Sequence, residues 1–239
     1  MYCIFCRADD LPALWAYRGL KQLGLAPLKI FTPEALVYNR RLEHRLGAGG
    51  TITCLELADG RMLESDRVQG VLNRVNYLPV EHFHLAESDD RAYAGLEQRA
   101  IFLSWMHALP GVVINRPEPR GLCGEVRSPA EWSWLAVQAG LPVAPFHQSD
   151  AQELVYPPNI TLSQLIVFDG QVYGASAQWC DDALRNAIQR LAALSGLRLL
   201  GLGFAVNPSG EPLFASATAM PDLQLGGEAL LNALMAVFA

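Results

Sequence analysis

Lysine is nearly missing from this chain. Lys21 and Lys29 are the only two in 239 residues, and the other sixteen basic residues are arginines. Nothing after residue 29 can therefore offer an ammonium group to clamp a phosphate. Disulfides are not indicated either. Cys3, Cys6, Cys54, Cys123 and Cys180 form no ladder of paired spacings. Cys3 and Cys6 have CxxC spacing, but they have no second pair, and strand residues three apart point to opposite faces, which argues against a shared zinc ion. All five read as thiols of a reducing compartment. No uninterrupted apolar run is long enough to span a bilayer, and the N-terminus lacks the basic-then-apolar layout of a signal peptide. The expected location is the cytoplasm, with no membrane association. No block of like charge occurs, and a net charge of −6 with a pI of about 5.4 argues against general affinity for nucleic acid. GxSxG and Walker motifs are absent. The run Gly47-Ala48-Gly49-Gly50 reads as the join between a helix and a hairpin, not as a phosphate loop.

A chain that is 51% hydrophobic and 18% charged is long enough to bury a large core. Its first part alternates strand and helix. Tyr2–Cys6 and Leu28–Phe31 are apolar strand candidates. Asp9 or Asp10 can cap the helix between them, whose predicted apolar stripe runs Leu11, Leu14, Ala16, Tyr17, Leu20, Leu23. Thr32-Pro33-Glu34 starts a further helix. A hairpin is expected over Thr51–Leu57 and Met62–Glu64, around Asp59-Gly60. Val68–Leu72 and Gly111–Ile114 read as buried strands, with a long helix from about Asp89 to Leu109 between them. This alternation implies a parallel sheet with covered faces. Ser128-Pro129-Ala130-Glu131 opens a helix that Gly140 closes.

The second part holds a hairpin, Leu162–Phe168 and Gln171–Ser176 around Asp169-Gly170. A helix follows from Asp181 or Asp182 to Leu194, stopped by Gly196. The segment LRLLGLGFAVNPSGEPLFASATAMPDL, Leu197 to Leu223, is an apolar strand, an Asn207-Pro208-Ser209-Gly210 turn, a second strand and a polar loop. An apolar helix from about Gly227 ends the chain and is expected to be buried or to form an oligomer interface.

The Leu197–Leu223 hairpin resembles the closing strands of the ATP-grasp superfamily. So does the exit Gly140-Leu141-Pro142-Val143-Ala144-Pro145 after the Ser128 helix. The resemblance implies an α/β fold: an N-terminal parallel-sheet domain of pre-ATP-grasp type over residues 1–145, then a reduced ATP-grasp-like α+β part over 146–239. In that family an acidic residue on the first strand and a Glu-x-Asn on the second hold the magnesium ions that bridge the nucleotide phosphates. The matching positions here are Gly203 and Ser216-Ala217-Thr218. The family's helix-start lysine corresponds to Pro129. Only Phe146–Ile160 stands where the family has its small nucleotide-binding lobe. ATP and magnesium are therefore expected to be lost.

The candidate ligand site lies at the strand ends. In a parallel sheet ligands bind beyond the carboxyl ends of the strands. Asn73 and Arg74 stand at one such end and Asn115 and Arg116 at another, with Arg120 and Arg127 in the following loop. Guanidinium groups bind carboxylates and phosphates in bidentate fashion, so this set is a candidate anion cleft. The bland alternative pairs these arginines with Glu118, Glu125 and Glu131. His82-Phe83-His84 could place two imidazoles on one face but has no third ligand at a telling spacing. His44, His107 and His147 stand alone. Cys123, in an Arg-flanked Gly-Leu-Cys-Gly loop, is a weak nucleophile candidate. Trp132 and Trp134 are two apart on a helix and face different ways.

No residue is assigned a catalytic or metal-binding role. The expected function is that of a non-catalytic ATP-grasp-like binding or scaffolding subunit in a peptide- or metabolite-modifying pathway. Its partner would be another protein, a second copy of the chain, or a carboxylate- or phosphate-bearing small molecule or peptide. Two alternatives stand beside it. One is an enzyme of another class using the Arg/Asn cleft with Cys123 or Glu125. The other is half of a split carboxylate–amine ligase, docking through Phe146–Ile160.

Overall fold

The computed structural model describes residues 1–48, 50–145, 161–206 and 209–238. The chain divides into two compact units, residues 1–125 with 234–239, and residues 126–233.

The first unit is built on a four-stranded parallel sheet, β1 (Tyr2–Phe5), β2 (Leu28–Phe31), β6 (Gly70–Asn73) and β7 (Val112–Ile114), in the order β2-β1-β6-β7. Its strands are short and apolar, as strands covered on both faces must be. Helix α1 (Leu11–Gln22) is capped by Asp10, whose side chain accepts from Ala13 N at 3.0 Å. Its buried residues are Ala13, Ala16 and Leu20, whereas Leu11 and Leu23 are exposed, so the stripe is narrower than its apolar residues suggest. Helix α2 (Pro33–Val37) is a single turn, and α3 (Ser88–Ala108) lays Phe102, Trp105 and Met106 into the core.

One element departs from the sequence reading. Arg41–Gly47 is a strand, β3, paired antiparallel with β4 (Gly50–Glu56), which in turn pairs with β5 (Met62–Glu64). Gly47 and Gly50 thus pair across a β-hairpin, and the element before Gly47 is a strand, not a helix. The stretch RLEHRLG contains no β-branched residue, and its strand character comes from pairing with β4, not from propensity.

The second unit holds an antiparallel sheet of β8 (Thr161–Phe168), β9 (Gln171–Tyr173), β10 (Leu199–Val206) and β11 (Pro212–Thr218), ordered β11-β10-β8-β9. Helix α4 (Pro129–Ala139) starts with a complete capping box. Glu131 N donates to Ser128 Oγ at 3.2 Å, and Ser128 N donates to Glu131 Oε2 at 2.7 Å. Gly140 and Gly196 end α4 and α5 (Asp182–Ser195) in the left-handed conformation. Leu135, Ala136, Ile188 and Leu191 of these helices pack with Leu165, Leu200, Leu202, Phe204 and Phe214 of the sheet. Helix α4, which the sequence division counts with the first domain, packs on α5 and β11. The final helix α6 (Gly227–Phe238) buries Leu230, Leu231, Leu234 and Phe238. No helix among the described residues is long and apolar enough to cross a membrane.

Candidate functional site

In the parallel sheet, the chain leaves β1 toward β2 on one side and toward β6 on the other, so the switch point lies at the carboxyl ends of β1 and β6. The Asn73–Arg74 pair stands there. Asn73 is buried and donates from Nδ2 to Asn115 O at 2.8 Å and to Leu122 O at 2.7 Å, while its Oδ1 accepts from Val75 N. Asn115 holds a positive φ of 55°, which an Asn tolerates better than most residues. The two asparagines therefore meet as a buried tie between β6, β7 and the loop carrying Leu122.

The arginines are each engaged within their own unit. Arg74 is buried against Asp10, with Nε donating to Oδ2 at 2.8 Å and Nη2 to Oδ1 at 3.1 Å. Arg116 turns back to the end of α3 and donates to the carbonyls of Met106, at 2.5 Å, and His107. Arg120 pairs with Glu125 at 3.1 Å, as the bland alternative had one arginine do. Arg127 belongs to the second unit, where it lies over the Trp132 ring at 5.2 Å. Three of the four guanidiniums of the candidate cleft thus have carboxylate or carbonyl partners inside the first unit.

Cys123 is buried in the same knot, where its Sγ donates to Asn73 O at 3.0 Å. Burial pushes its thiol up to about 12, and the nearby Arg74 offsets this only in part. The thiolate is then scarce at pH 8. The expected result is that Cys123 resists iodoacetamide at pH 8 in the folded protein and labels fully after denaturation. Labelling of the native protein at the rate of a free thiol would reinstate it as a nucleophile.

The histidines serve packing. His44 bonds Thr53 Oγ1 and Ser104 Oγ, His107 bonds Pro117 O, and the His82 ring lies against Phe83 and Tyr38. No three His, Cys, Asp or Glu side chains are placed to share a metal ion among the described residues. His147, the Phe146–Ile160 segment and Asn207-Pro208 lie outside the described residues. Trp132 is buried and Trp134 is 61% exposed, so the two do face different ways.

The second unit holds a cavity that the sequence reading approached only through its hairpin. Gly203 of β10 stands opposite Ser216 of β11, and Gly201 opposite Thr218. The register shifts between Gly203 and Phe204, leaving Ala215 as an extra residue. That bulge lets Phe214 face the core while Ser216 and Thr218 face the other side of the sheet. Together with Gln164 of β8 and Asp222 beyond β11, these residues line a cavity of about 340 Å³. The positions that by resemblance correspond to the family's metal ligands, Gly203 and Ser216–Thr218, stand side by side in the structure.

The positions that match the family's metal ligands, Gly203 and Ser216-Ala217-Thr218, carry no carboxylate. Magnesium needs hard oxygen ligands in near-octahedral order and is commonly held by one or two carboxylates plus phosphate oxygens. The lining offers two glycines, two neutral hydroxyls, an amide and one carboxylate. That carboxylate, Asp222, already accepts from Gln224 N at 3.1 Å. A Cβ on Gly203 would stand 2.4 Å from Ser216 Oγ, so the serine hydroxyl occupies the space an acidic side chain would need. No reaction step through a metal follows from these residues.

A second cavity, within the first unit, measures about 360 Å³. Leu36, Leu42, Leu55, Phe83, Phe102 and Trp105 are among its lining residues, and Glu97 is its only charged one. No sequence signal marked it, because its walls come from α2, β3, β4, α3 and the segment from Leu78 to Phe83.

No family profile and no curated protein matches the sequence. Solved structures do match its fold. Macrocyclase MdnB from Microcystis aeruginosa MRC superposes with a TM-score of 0.69 at 15% identity, over 100% of this chain and 99% of that one. Macrocyclase MdnC from the same organism, bound with precursor peptide MdnA, gives 0.70 at 14% over 98% and 99%. A RiPP-associated ATP-grasp ligase of Chryseobacterium gregarium, in complex with ADP and a leader and core peptide, gives 0.70 at 12% over 98% and 96%. A parallel-sheet unit followed by an antiparallel one, matched end to end by these structures, gives this chain an ATP-grasp-like fold.

Proposed function

We propose that this protein is a non-catalytic ATP-grasp-like subunit that binds a peptide or protein partner in a peptide-modifying pathway. One observation carries the reading: the positions that match the family's metal ligands, Gly203, Ser216 and Thr218, present backbone and neutral hydroxyls, and Asp222 is the one carboxylate that lines the cavity beside them. Losing a single group aimed at developing charge typically costs about 10²–10³ in rate. The absence of lysine after residue 29 points the same way. The peptide half of the reading is supported by the matched structures, of which MdnC is bound with a precursor peptide and the Chryseobacterium ligase with a leader and core peptide. The apolar cavity between α2, β3, β4 and α3 gives such a partner a place to bury side chains.

Thermal unfolding with and without millimolar ATP and magnesium tests the nucleotide half. Binding at a hundred times the dissociation constant stabilises a protein by about 2.7 kcal/mol, a shift of a few degrees for a chain this size. No shift is expected. A clear magnesium-dependent shift would return ligase activity as the leading reading.

A further inference from the structure

The three-stranded sheet of the first unit ends in β3, and no strand lies along its outer edge among the described residues. This edge is seven residues long and contains no proline. Leu46 is 70% exposed and Leu42 38%. Folded proteins usually shorten, bulge or cover such an edge, because its free N–H and C=O groups are a template for another strand. β3 is neither short nor interrupted by proline, and its defence is charge, Arg41, Glu43 and Arg45, so its sequence decides what can pair with it.

That sequence is Arg41-Leu42-Glu43-His44-Arg45-Leu46-Gly47. Two copies of the strand can join antiparallel about a two-fold axis normal to the sheet. Residues directly opposite must then point to the same face, so the axis has to pass through a residue. Three central registers are available. An axis at Glu43 sets Glu43 against its own copy and Arg41 against Arg45. An axis at Arg45 sets two arginines against each other. An axis at His44 sets Glu43 against Arg45 twice and Leu42 against Leu46 twice. Only this third register matches charge with charge and apolar with apolar.

The free strand is compatible with it. Glu43 already bridges its own neighbours, with Oε1 on Arg41 and Oε2 on Arg45 Nη2 at 2.7 Å. Exposed pairs of this kind contribute little, so an arginine from a second copy can replace or join them at low cost. The His44 ring at the axis is held on the inner face by Thr53 and Ser104. The axis is therefore free of a competing side chain on the outer face.

We infer that β3 is a self-complementary edge through which two copies of this chain associate, joining their three-stranded sheets into one six-stranded sheet centred on His44. This association stands apart from the nucleotide reading and does not depend on it.

Sedimentation velocity across the micromolar range tests it. The wild-type protein should show a concentration-dependent dimer. Arg45→Glu places Glu against Glu43 of the copy, and Glu43→Arg places Arg against Arg45. Each reversal alters two symmetric pairs and should weaken association by about tenfold. Mixing the two single variants regenerates opposite charges across the axis, and so does the Glu43→Arg/Arg45→Glu double variant; both should dimerise like the wild type. Circular dichroism of each variant checks that the exposed changes leave the fold intact. A wild type that stays monomeric overturns the inference. So does a dimer that ignores both reversals, or single variants whose mixture fails to recover.

Discussion

Asp10→Ala should destabilise the fold by about 3–5 kcal/mol, the usual effect of leaving one charge of a buried ion pair without its partner. The side chains of Arg74 and Asp10 are only 4% and 7% exposed, and both carboxylate oxygens bond the guanidinium. Asp10 also caps α1, and losing a cap adds about 1 kcal/mol. A second variant separates these contributions. Asp10→Asn keeps the capping oxygen and the volume but removes the charge, so it should still lose most of the stability. Replacing both partners, Asp10→Asn with Arg74→Met, should be milder than Asp10→Asn alone, because no buried charge remains. Urea unfolding of the four proteins measures all of this. If Asp10→Ala costs under about 1 kcal/mol, the pair is solvated in solution and the switch point of the parallel sheet is open to ligands. A large loss means the crevice where α/β sheets usually bind ligands holds a structural ion pair in this protein.

That result bears on what the sequence could reveal. Caps and stops were legible because a few adjacent residues produce them: Ser128-Pro129-Ala130-Glu131 specifies a capping box, and Gly140 and Gly196 specify left-handed ends. The parallel sheet was legible because its strands are apolar runs separated by helical patterns. The correspondence of Gly203 with Ser216 was legible because one hairpin holds both. Strand β3 was not, since Arg41–Gly47 carries no β-branched residue and takes its conformation from β4. The arginine cleft shows the larger difficulty. Asn73 and Arg74 are adjacent in sequence, yet one ties two loops together and the other pairs with Asp10, sixty-four residues away. Sequence places a guanidinium at a strand end, but the partner that engages it is set by tertiary packing. The apolar cavity was hidden for the same reason: its walls are contributed by separate elements and by the segment from Leu78 to Phe83, with no shared motif.

Gly111→Ala should cost about 3 kcal/mol or more, at the upper end of what overpacking does. Torsion is not the cause, since Gly111 is not among the residues with positive φ. A Cβ there would lie 2.2 Å from Gln69 O, 2.3 Å from its carbonyl carbon and 2.8 Å from its Cα. These are backbone atoms, and they are fixed from two sides: Gln69 N donates to Met1 O, and Gln69 O accepts from Val112 N. Relief requires the start of β7 to move away from β6, which loosens the register that brings Asn115 to Asn73. Gly203→Ala provides the contrast. Its Cβ would be nearly as crowded, at 2.4 Å, but the atom it meets is the Ser216 hydroxyl, which can rotate to another staggered position. That substitution should cost less than about 1 kcal/mol, and Ser216→Ala should remove most of the loss. Denaturant unfolding of Gly111→Ala, Gly203→Ala and Gly203→Ala/Ser216→Ala decides the matter. Equal losses at the two glycines would mean that Ser216 cannot turn aside, and that position 203 is closed as firmly as the backbone contact at Gln69. Unequal losses would leave that position closed by one hydroxyl alone, with the sheet around it still able to accept a side chain on residue 203.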